Sequence, residues 1–376
     1  MTTDFDVIII GLGAMGSSAA LQLSRNNKKV LGIDRFAPPH TFGSSHGQTR
    51  IIREAYFEHP LYVPLVQRAY DLWFDMEKET GKELFLKTGG MMIGSPESEL
   101  VKGAKTSADI HNLEYKLLDF AQIKLQFPAF NLSEEMVGIW EPRAGVLFPE
   151  KCIETFLELA GNSGAKLNFN ETVLNFTADK NEVTVKTDKG IYKTEKLIIS
   201  SGAWLNKLIP ELKLPLYIER QVLFWFDTNN SKNFNLEKFP IFIWEYETDK
   251  IFYGFPDTGD GLKVAFYHGG DKLFNADVIN REICEKEIDS IKEVMMKYFP
   301  DASNKLLNSA VCMYTNTPDL HFLLDYHPEY KNVIIASPCS GHGFKFSPAI
   351  GEILKDMVIS GKTSFQLKPF SIERFK

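Results

Sequence analysis

The sequence predicts an α/β protein that combines a Rossmann-like dinucleotide-binding domain with a second, α+β domain. Two observations support this prediction. Residues 6–34 follow a strand–turn–helix–strand pattern, and residues 218–315 are rich in aromatic and β-branched side chains. Because further strand-like apolar segments lie on both sides of the second region, we expect a dinucleotide domain built from discontinuous segments. A mostly antiparallel β-sheet domain would then be inserted between those segments.

The first of these regions contains a glycine motif in the context that a dinucleotide site requires. A buried apolar strand leads to Gly11, Gly13 and Gly16, a helical pattern follows, and a second strand ends at Asp34. Gly11 allows a tight turn, Gly13 lets the backbone approach a pyrophosphate, and Gly16 lets the helix pack closely on the strand. Asp34 is expected to accept hydrogen bonds from ribose hydroxyls. The motif by itself does not separate FAD from NAD.

The remaining elements of the first domain follow from periodicity. The loop 35–53 is rich in Pro, Gly and Ser, and a loop of this length between ordered segments indicates a functional role. Beyond it, the pattern predicts helices at 65–76 and 151–160, strands at 166–169, 183–186, 196–200 and 332–336, and a helix that starts near Ser347 or Pro348.

The second domain is predicted from short apolar runs and aromatic strands. Short apolar pieces such as 90–93 indicate a change of architecture near Leu84. The segment that follows residue 218 predicts strands at 222–226, 241–246, 251–255 and 262–267, and one long helix at about 276–298. We therefore assign residues 1–84, 150–217 and 318–376 to the dinucleotide domain, and residues 85–149 and 218–317 to the substrate domain.

Composition narrows the class of protein. The chain of 376 residues carries a formal net charge of −7, which argues against a nucleic-acid-binding surface. Its four cysteines show no C-x-x-C spacing, so we expect no metal site, no disulfide framework and a reducing, cytoplasmic location. No uninterrupted apolar stretch reaches about 18 residues, and no signal-peptide pattern precedes the first strand. We therefore expect no membrane association.

Several side chains are candidates for chemistry, each with a plain structural alternative. Cys312 lies in an apolar strand and is either a buried core thiol or a point of attachment to a flavin. Arg50 and Arg53 belong either to a solvated basic loop or to a carboxylate-binding site, and Lys345 is a second candidate cation. A further group consists of polar aromatic side chains on the β-rich segments, which are Tyr253, Tyr267, His268 and Tyr314.

Taken together, these segments resemble the monomeric sarcosine oxidase and N-methyltryptophan oxidase family of FAD-dependent amine oxidases. Members of that family have a D-amino-acid-oxidase-like fold. The resemblance covers nearly the whole chain and is carried by residues 6–16, 38–40, 45–53, 62–65, 87–89, 145–148, 253–256, 312–315 and 340–346. Several of these segments are far more specific than the glycine motif.

The resemblance implies roles position by position. Cys312 matches the cysteine that is bonded covalently to the flavin, and Arg53 and Lys345 match the pair that binds the substrate carboxylate. Lys263 matches a lysine that promotes the reaction with oxygen. His46 and Arg50 match residues close to the flavin ring. Tyr253 and Tyr314 match tyrosines of the substrate pocket. With the glycine motif, the residues expected to bind FAD are Gly11, Gly13, Ala14, Met15, Gly16, Asp34, Arg35, Ser44, Ser45, Thr49, Arg50, Val173, Gly202, Trp204, Cys312, Gly341, Gly343, Phe344 and Lys345.

The chain departs from the family pattern at the proposed amine pocket. The family has a histidine four residues after the lysine, where this sequence has Tyr267, followed by His268. Either Tyr267 takes the place of that histidine, or a one-residue shift brings His268 there. Gln48 stands where an Asp is usual, and Glu54 stands where a His is common. We expect Glu54 to add negative charge beside the carboxylate-binding pair.

These inferences lead to one function and three alternatives. We expect oxidation of the secondary amine of an N-alkyl amino acid such as sarcosine. Oxygen would be reduced to hydrogen peroxide, and the imine would be hydrolysed to an aldehyde and an amino acid. The alternatives are a dehydrogenase of the same fold that uses an electron carrier, a non-catalytic flavin-binding module, and an NAD-dependent enzyme. The resemblance also implies a monomer.

Overall fold

The computed structural model describes residues 3–229, 231–302 and 305–376. Within these residues the chain forms twenty strands, β1 to β20, at Phe5–Ile10, Val30–Ile33, Arg50–Ile52, Phe85–Lys87, Gly90–Gly94, Lys116–Leu118, Val137–Glu141, Gly145–Leu147, Lys166–Asn168, Val173–Ala178, Val183–Thr187, Ile191–Ile199, Tyr217–Phe226, Ile241–Glu247, Lys250–Phe255, Leu262–Phe266, Lys272–Leu273, Leu306–Asn316, Leu323–Tyr326 and Val333–Ser337. The α-helices of the same residues, α1 to α8, are Ala14–Arg25, Val63–Thr80, Glu99–Ile110, Phe120–Gln126, Pro149–Asn162, Leu205–Leu208, Glu285–Tyr298 and Ser347–Ile359.

The first sheet has a parallel centre. Strands β9, β2, β1, β12 and β20 lie side by side in that order and in parallel, and β19 pairs antiparallel with β20. The β10–β11 hairpin extends the sheet along the first half of β12. Parallel strands of this kind are covered on both faces, which explains their continuous apolar sequences.

Strand β1 shows how the two faces are covered. Val7 and Ile9 pack into a core formed with α1, α5 and α8, whereas Ile8 and Ile10 pack into a second core on the other face of the sheet. Because successive side chains of a strand point to opposite faces, one apolar run of four residues supplies both cores. The predicted βαβ unit is therefore present, with its turn at the carboxyl end of β1.

The second sheet is almost entirely antiparallel. Its strands follow the order β17, β13, β16, β15, β14, β5, β7, β6, and β18 pairs with β13 along ten residue pairs. The exception is β14, which runs parallel to β5. One face carries an aromatic core in which rings stack or meet edge-on, formed by residues that include Phe130, Phe239, Phe242, Trp244, Phe252 and Phe299. Strands β3, β8 and β4 form a third, small sheet. In the sequence, these strands occur where the chain passes from one of the larger sheets to the other.

The predicted helix at 276–298 is wrong in its first third. A short 3₁₀ turn occupies Ala276–Val278, and α7 begins only at Glu285. The guanidinium of Arg220 donates to the carbonyl oxygens of Asn280 and Glu282, each at 2.7 Å. These carbonyls are therefore bonded to a side chain from another strand, which keeps the segment extended.

Two further helices, α3 and α4, lie where the sequence predicted only short apolar pieces.

The strands of the first sheet fall within residues 1–84, 150–217 and 318–376. Those of the second sheet fall within residues 85–149 and 217–317, because β13 begins at Tyr217. The division of the chain into domains at the predicted boundaries stays a prediction.

Candidate active site

A cavity of about 490 Å³ runs from the carboxyl ends of the parallel strands to the face of the second sheet. At the first end it is lined by Gly11 after β1, Asp34 after β2, residues 200–204 after β12, and residues 336–338 at the end of β20. In α/β sheets this edge is where ligands bind. At the second end the lining side chains come from β13, β14, β15 and β18.

The turn between β1 and α1 is built to approach a ligand closely. Gly11 has φ of +89°, a conformation that favours glycine, and a Cβ at Gly16 would lie 1.8 Å from the Gly11 carbonyl oxygen. Helix α1 starts without a side-chain cap, and Gly13, Ala14 and Met15 line the cavity. Its first N–H groups and the positive end of the helix dipole therefore suit a phosphate group.

Asp34 is held in place by backbone N–H groups. Its Oδ2 accepts from the N–H of Leu12 at 2.7 Å, and its Oδ1 accepts from that of Phe36 at 2.8 Å. Burial raises the pKa of Asp34, and these two hydrogen bonds oppose that effect. Each carboxylate oxygen keeps a lone pair for a ribose hydroxyl. The Oγ of Ser201, another lining residue, has no hydrogen-bond partner among the described residues and is available to a ligand.

The rim of the cavity near Asp34 carries a charged cluster, in which sequence reasoning predicted Arg35 and Trp204 but missed Lys207 and Asp277. Asp277 accepts from Arg35 Nη1 at 2.7 Å, from Trp204 Nε1 at 2.8 Å and from Lys207 Nζ at 2.5 Å. These hydrogen bonds hold the pKa of Asp277 well below its usual range. The cluster joins the segment before α7 to the dinucleotide end of the cavity, and its residues come from three separate parts of the sequence, at 35, 204–207 and 277.

Cys312 and Arg50 meet deeper in the cavity. Arg50 Nη2 lies 3.8 Å from Cys312 Sγ and also donates to the carbonyl oxygens of Ser44 and His46. The thiol is 2 % exposed and faces the cavity rather than the interior of a core alone. A positive charge therefore stands beside a sulfur atom that a cofactor in the cavity would reach.

Lys263 and His46 are buried behind this region and are not among the residues that line the cavity. Lys263 Nζ donates to Gly47 O at 2.5 Å, Thr49 O at 3.1 Å and Thr49 Oγ1 at 2.9 Å. Burial and the neighbouring Arg50 lower the pKa of Lys263, and the same causes lower that of His46 to about 3. Lys263 therefore supports the loop that carries Arg50.

Arg53 lies at the other end of the cavity in a buried ion pair. Its Nη2 is 2.6 Å from Glu58 Oε2 and 2.8 Å from Oε1. Glu54, the residue expected to add negative charge there, does not line the cavity, and its carboxylate pairs with Arg143 at 3.2 Å. That expectation is therefore wrong, because Glu58 supplies the negative charge beside Arg53. Sequence reasoning passed over Glu58, although it lies only five residues after Arg53.

Lys345 stands beside a chain of buried hydrogen bonds. Its Nζ donates to His342 O at 2.7 Å and lies 3.4 Å from the Tyr56 hydroxyl, which is 2.6 Å from His342 Nδ1. His342 Nε2 is 3.1 Å from the Leu320 carbonyl oxygen. Because that oxygen only accepts, we assign the ring proton to Nε2, with Tyr56 donating to Nδ1. Burial lowers the pKa of His342 to about 3, and burial with Arg53 nearby lowers that of Lys345 to about 7.

Three tyrosines form the wall between Cys312 and the cations. Tyr253, Tyr267 and Tyr314 all line the cavity, and burial raises the pKa of each, so their hydroxyls are neutral. The hydroxyl oxygens of Tyr253 and Tyr314 are 3.2 Å apart. The wall is therefore apolar on its ring faces and carries neutral donors at its edge.

The geometry distinguishes Tyr267 from His268. Tyr267 lines the cavity, and its hydroxyl donates to Glu58 at 3.4 Å. His268, with φ of +66°, does not line the cavity; its Nδ1 lies 2.9 Å from Glu219 Oε2. Tyr267 is therefore the member of this pair that faces the cavity.

Most of the residues predicted for the site line this cavity. They are Gly11, Gly13, Ala14, Met15, Asp34, Arg35, Ser44, Ser45, Arg50, Arg53, Val173, Gly202, Trp204, Tyr253, Tyr267, Cys312, Tyr314, Gly341, Gly343, Phe344 and Lys345. Gly16, His46, Thr49, Lys263 and His268 do not line the cavity. Lining residues that the prediction missed include His40, Phe57, Glu58, Glu171 and His342. The sequence did offer a signal for Glu58, because this carboxylate lies only five residues after Arg53.

A Rossmann-type turn that opens into a cavity facing a second sheet is the arrangement of a dinucleotide-dependent enzyme. A model of the FAD-dependent oxidoreductase family matches residues 6–357, and the chain belongs to this family. It is 43% identical to monomeric sarcosine oxidase from Bacillus sp. (strain B-0618), covering 100% of this chain and 97% of that protein. It is 35% identical to N-methyl-L-tryptophan oxidase from Salmonella heidelberg (strain SL476), covering 99% of both.

The fold is shared with solved structures of low sequence identity. NikD, an unusual amino acid oxidase essential for nikkomycin biosynthesis, matches in its open form with a TM-score of 0.87. The match covers 98% of each chain at 20% identity and shows the fold alone. The family and the fold class predicted from the sequence are confirmed.

In the part of the chain that the structure describes, no group of three or more His, Cys, Asp or Glu side chains is arranged to hold a metal ion. The helices within residues 3–229, 231–302 and 305–376 include none that is long and apolar enough to cross a membrane.

Proposed function

We propose that this protein oxidises the secondary amine of a small N-methyl amino acid, with sarcosine as the simplest candidate. The observation that carries the proposal is a pair of cations, Arg53 and Lys345, that line one end of the cavity and act on a shared counter-charge, Glu58. A carboxylate is the group that such a pair recognises. The names of the relatives, which are sarcosine and N-methyl-L-tryptophan oxidases, support the same substrate class.

The residues present fit FAD as the cofactor. The free N–H groups at the start of α1 would hold the pyrophosphate and Asp34 would hold a ribose, while Arg35, Val173, Gly202 and Trp204 would surround the adenosine end. The other end would be held by Ser44, Ser45, Arg50, Gly341, Gly343 and Phe344, with Cys312 as a covalent attachment point. When bound, FAD supplies an acceptor for the two electrons removed from the carbon–nitrogen bond.

The protein's own contribution to the reaction is orientation and exclusion of water. Arg53 and Lys345 would bind the substrate carboxylate, and this contact would fix the position of the amine relative to the cofactor. The rings of Tyr253, Tyr267 and Tyr314 would enclose the amine in its neutral form, which is the form that can be oxidised. The imine product would then be hydrolysed to an aldehyde and an amino acid.

We further propose oxygen as the electron acceptor, with Lys263 as the residue that promotes its reduction, and a monomer as the working form. The position of Lys263 supports this role, because its Nζ and the Arg50 guanidinium are hydrogen-bond donors that would stabilise negative charge developing during oxygen reduction. A dehydrogenase is the second candidate, since Lys263 Nζ is hydrogen-bonded to the 47–49 loop and does not line the cavity.

Mixing the purified holoenzyme with sarcosine tests this function. Without oxygen, the visible flavin absorbance should bleach; with oxygen, hydrogen peroxide and formaldehyde should form in equal amounts. Arg53→Ala should raise KM about a hundredfold, because it removes a buried partner of the carboxylate. Arg143→Ala is the matched control, since Arg143 pairs with Glu54 outside the cavity.

Each of the other results identifies a different function. Bleaching by sarcosine without peroxide formation would indicate the dehydrogenase. Bound FAD that no N-methyl amino acid reduces would indicate a non-catalytic binding module and would refute the proposal.

A further inference from the structure

A buried carboxylate on the second sheet is hydrogen-bonded to the segment that carries Arg53. Glu141 is the last residue of β7 and is 1 % exposed. Its Oε1 accepts from the N–H of Glu54 at 2.6 Å, and its Oε2 accepts from the N–H of Ala55 at 2.8 Å. Both oxygens of one carboxylate are therefore used on two consecutive backbone groups, which is a strong, charge-assisted arrangement.

The segment that Glu141 binds has no other regular structure. Strand β3 ends at Ile52, and the chain leaves the sheet at Arg53. Arg53 itself donates from Nη1 to the carbonyl oxygen of Ala55 at 2.8 Å, so its guanidinium is attached to the same short stretch that Glu141 holds. Tyr56, Phe57 and Glu58 follow directly and surround Arg53, whose guanidinium carbon lies 4.3 Å from the ring centre of Tyr56 and 4.7 Å from that of Phe57.

The carboxylate of Glu141 is buried at a cost in free energy, and its two hydrogen bonds offset that cost. Burying a carboxylate is costly even when it is hydrogen-bonded, and burial raises the pKa of Glu141 to about 7. Glu54 lies close enough to raise it further, whereas Arg53 acts in the opposite direction. An apolar residue at this position would avoid the cost but would leave the two N–H groups unpaired. The feature that the carboxylate serves is the backbone conformation at residues 54 and 55.

We propose that Glu141 is a positioning residue for substrate carboxylate binding, which acts by holding the 54–55 backbone so that Arg53 faces the cavity. This inference rests on the proposed function, in which Arg53 and Lys345 bind a carboxylate. Glu141 contacts neither the substrate nor the cofactor. Its effect is therefore on substrate affinity, and the chemical step at saturating substrate is left intact.

The test uses acetate as a carboxylate probe and sarcosine as the substrate, with the flavin-loaded enzyme and three variants. Glu141→Gln keeps one acceptor oxygen and loses the other, together with the charge. Glu54→Gln is the matched control, because it removes a buried carboxylate next to Glu141 but leaves both backbone hydrogen bonds in place. Acetate binding is followed by the change in the visible flavin spectrum, and kcat and KM are measured separately.

We expect Glu141→Gln to raise both the acetate Kd and the sarcosine KM about tenfold, as for the loss of one charge-assisted hydrogen bond. The value of kcat should stay within about twofold of wild type, and Glu54→Gln should change neither binding quantity by more than about twofold. If Glu141→Gln does not fold, Glu141→Asp keeps the charge on a shorter side chain and should still weaken acetate binding.

Unchanged acetate affinity in the folded Glu141 variant would overturn the inference, as would a loss of kcat with KM unaltered. Weakening by Glu54→Gln to the same extent would also overturn it, because any buried carboxylate would then have the same effect. A wild-type enzyme that does not bind acetate at all would overturn the proposed carboxylate site itself. That outcome is distinct from a failure confined to Glu141.

Discussion

Glu58 Oε2 lies 2.6 Å from Arg53 Nη2, in an ion pair whose arginine is 2 % exposed. The pair neutralises the cation that is proposed to bind the substrate carboxylate. Arg53 and Lys345 both lower the pKa of Glu58, so the acid is ionised at neutral pH. A substrate carboxylate must therefore compete with Glu58 for Arg53, and this competition sets part of the substrate affinity.

Glu58→Gln should strengthen carboxylate binding and should lower the stability of the ligand-free protein. Loss of the acid leaves Arg53 buried and unpaired, which should lower the free energy of unfolding by about 3 kcal/mol. Acetate should restore part of that loss, because it supplies the missing charge. Unfolding measured with and without acetate checks this expectation. A variant with wild-type stability and no response to acetate would contradict the role of the pair.

Cys312→Ser should release the flavin from the protein on acid precipitation. In the wild type the yellow colour should stay with the pellet, because Cys312 Sγ faces the cavity beside Arg50. Cys339→Ser is the matched control, since Cys339 also lines the cavity and should leave the attachment intact. Wild-type colour in the supernatant would show that the flavin is not covalently bound and that Cys312 is a core thiol.

Carboxylate affinity should fall as the pH rises through about 7, the value to which burial and Arg53 lower the pKa of Lys345. Below that pH Lys345 is charged and attracts the carboxylate; above it the neutral amine contributes less. Lys345→Arg should bind acetate with no such loss, because arginine stays charged throughout. The acetate Kd measured between about pH 6 and 9 checks this.

The titration of Lys345 must be separated from that of Glu141, because burial raises the pKa of Glu141 to about 7 as well. Ionised Glu141 holds the 54–55 backbone best, so its effect on affinity has the opposite sign to that of Lys345. The Lys345→Arg variant keeps Glu141, and its difference from wild type isolates the contribution of Lys345. Equal pH profiles for the two proteins would contradict the prediction.

Lys263→Met should slow the reaction of the reduced enzyme with oxygen about a hundredfold, as expected for the loss of one donor to negative charge that develops in that step. Reduction by sarcosine should change much less. Rapid mixing measures the two half-reactions separately. Equal slowing of both would mean that Lys263 acts only by supporting the loop at Gly47 and Thr49, to which its Nζ is hydrogen-bonded.

Local sequence was sufficient for the βαβ unit, whereas most of the other residues that line the cavity were predicted from the resemblance to the family. The turn at Gly11, the helix that follows and the acid at Asp34 depend on backbone sterics and side-chain periodicity within about 30 residues. The start of α8 at Ser347 was predicted for the same reason. These features need no knowledge of distant contacts, because their hydrogen bonds and glycine conformations are decided within the segment.

Only the tertiary structure decided the charge pairing and the ends of some elements. Arg220 and residues 280–282 are about sixty positions apart, and their contact is what delays α7 to Glu285. Glu54 and Glu58 are four residues apart, yet Glu54 forms an ion pair with Arg143 and Glu58 forms one with Arg53. Burial strengthens each of these interactions, and burial is a property of the assembled fold. The sequence by itself therefore determined the kind of cofactor site, whereas packing decided which charges face the substrate.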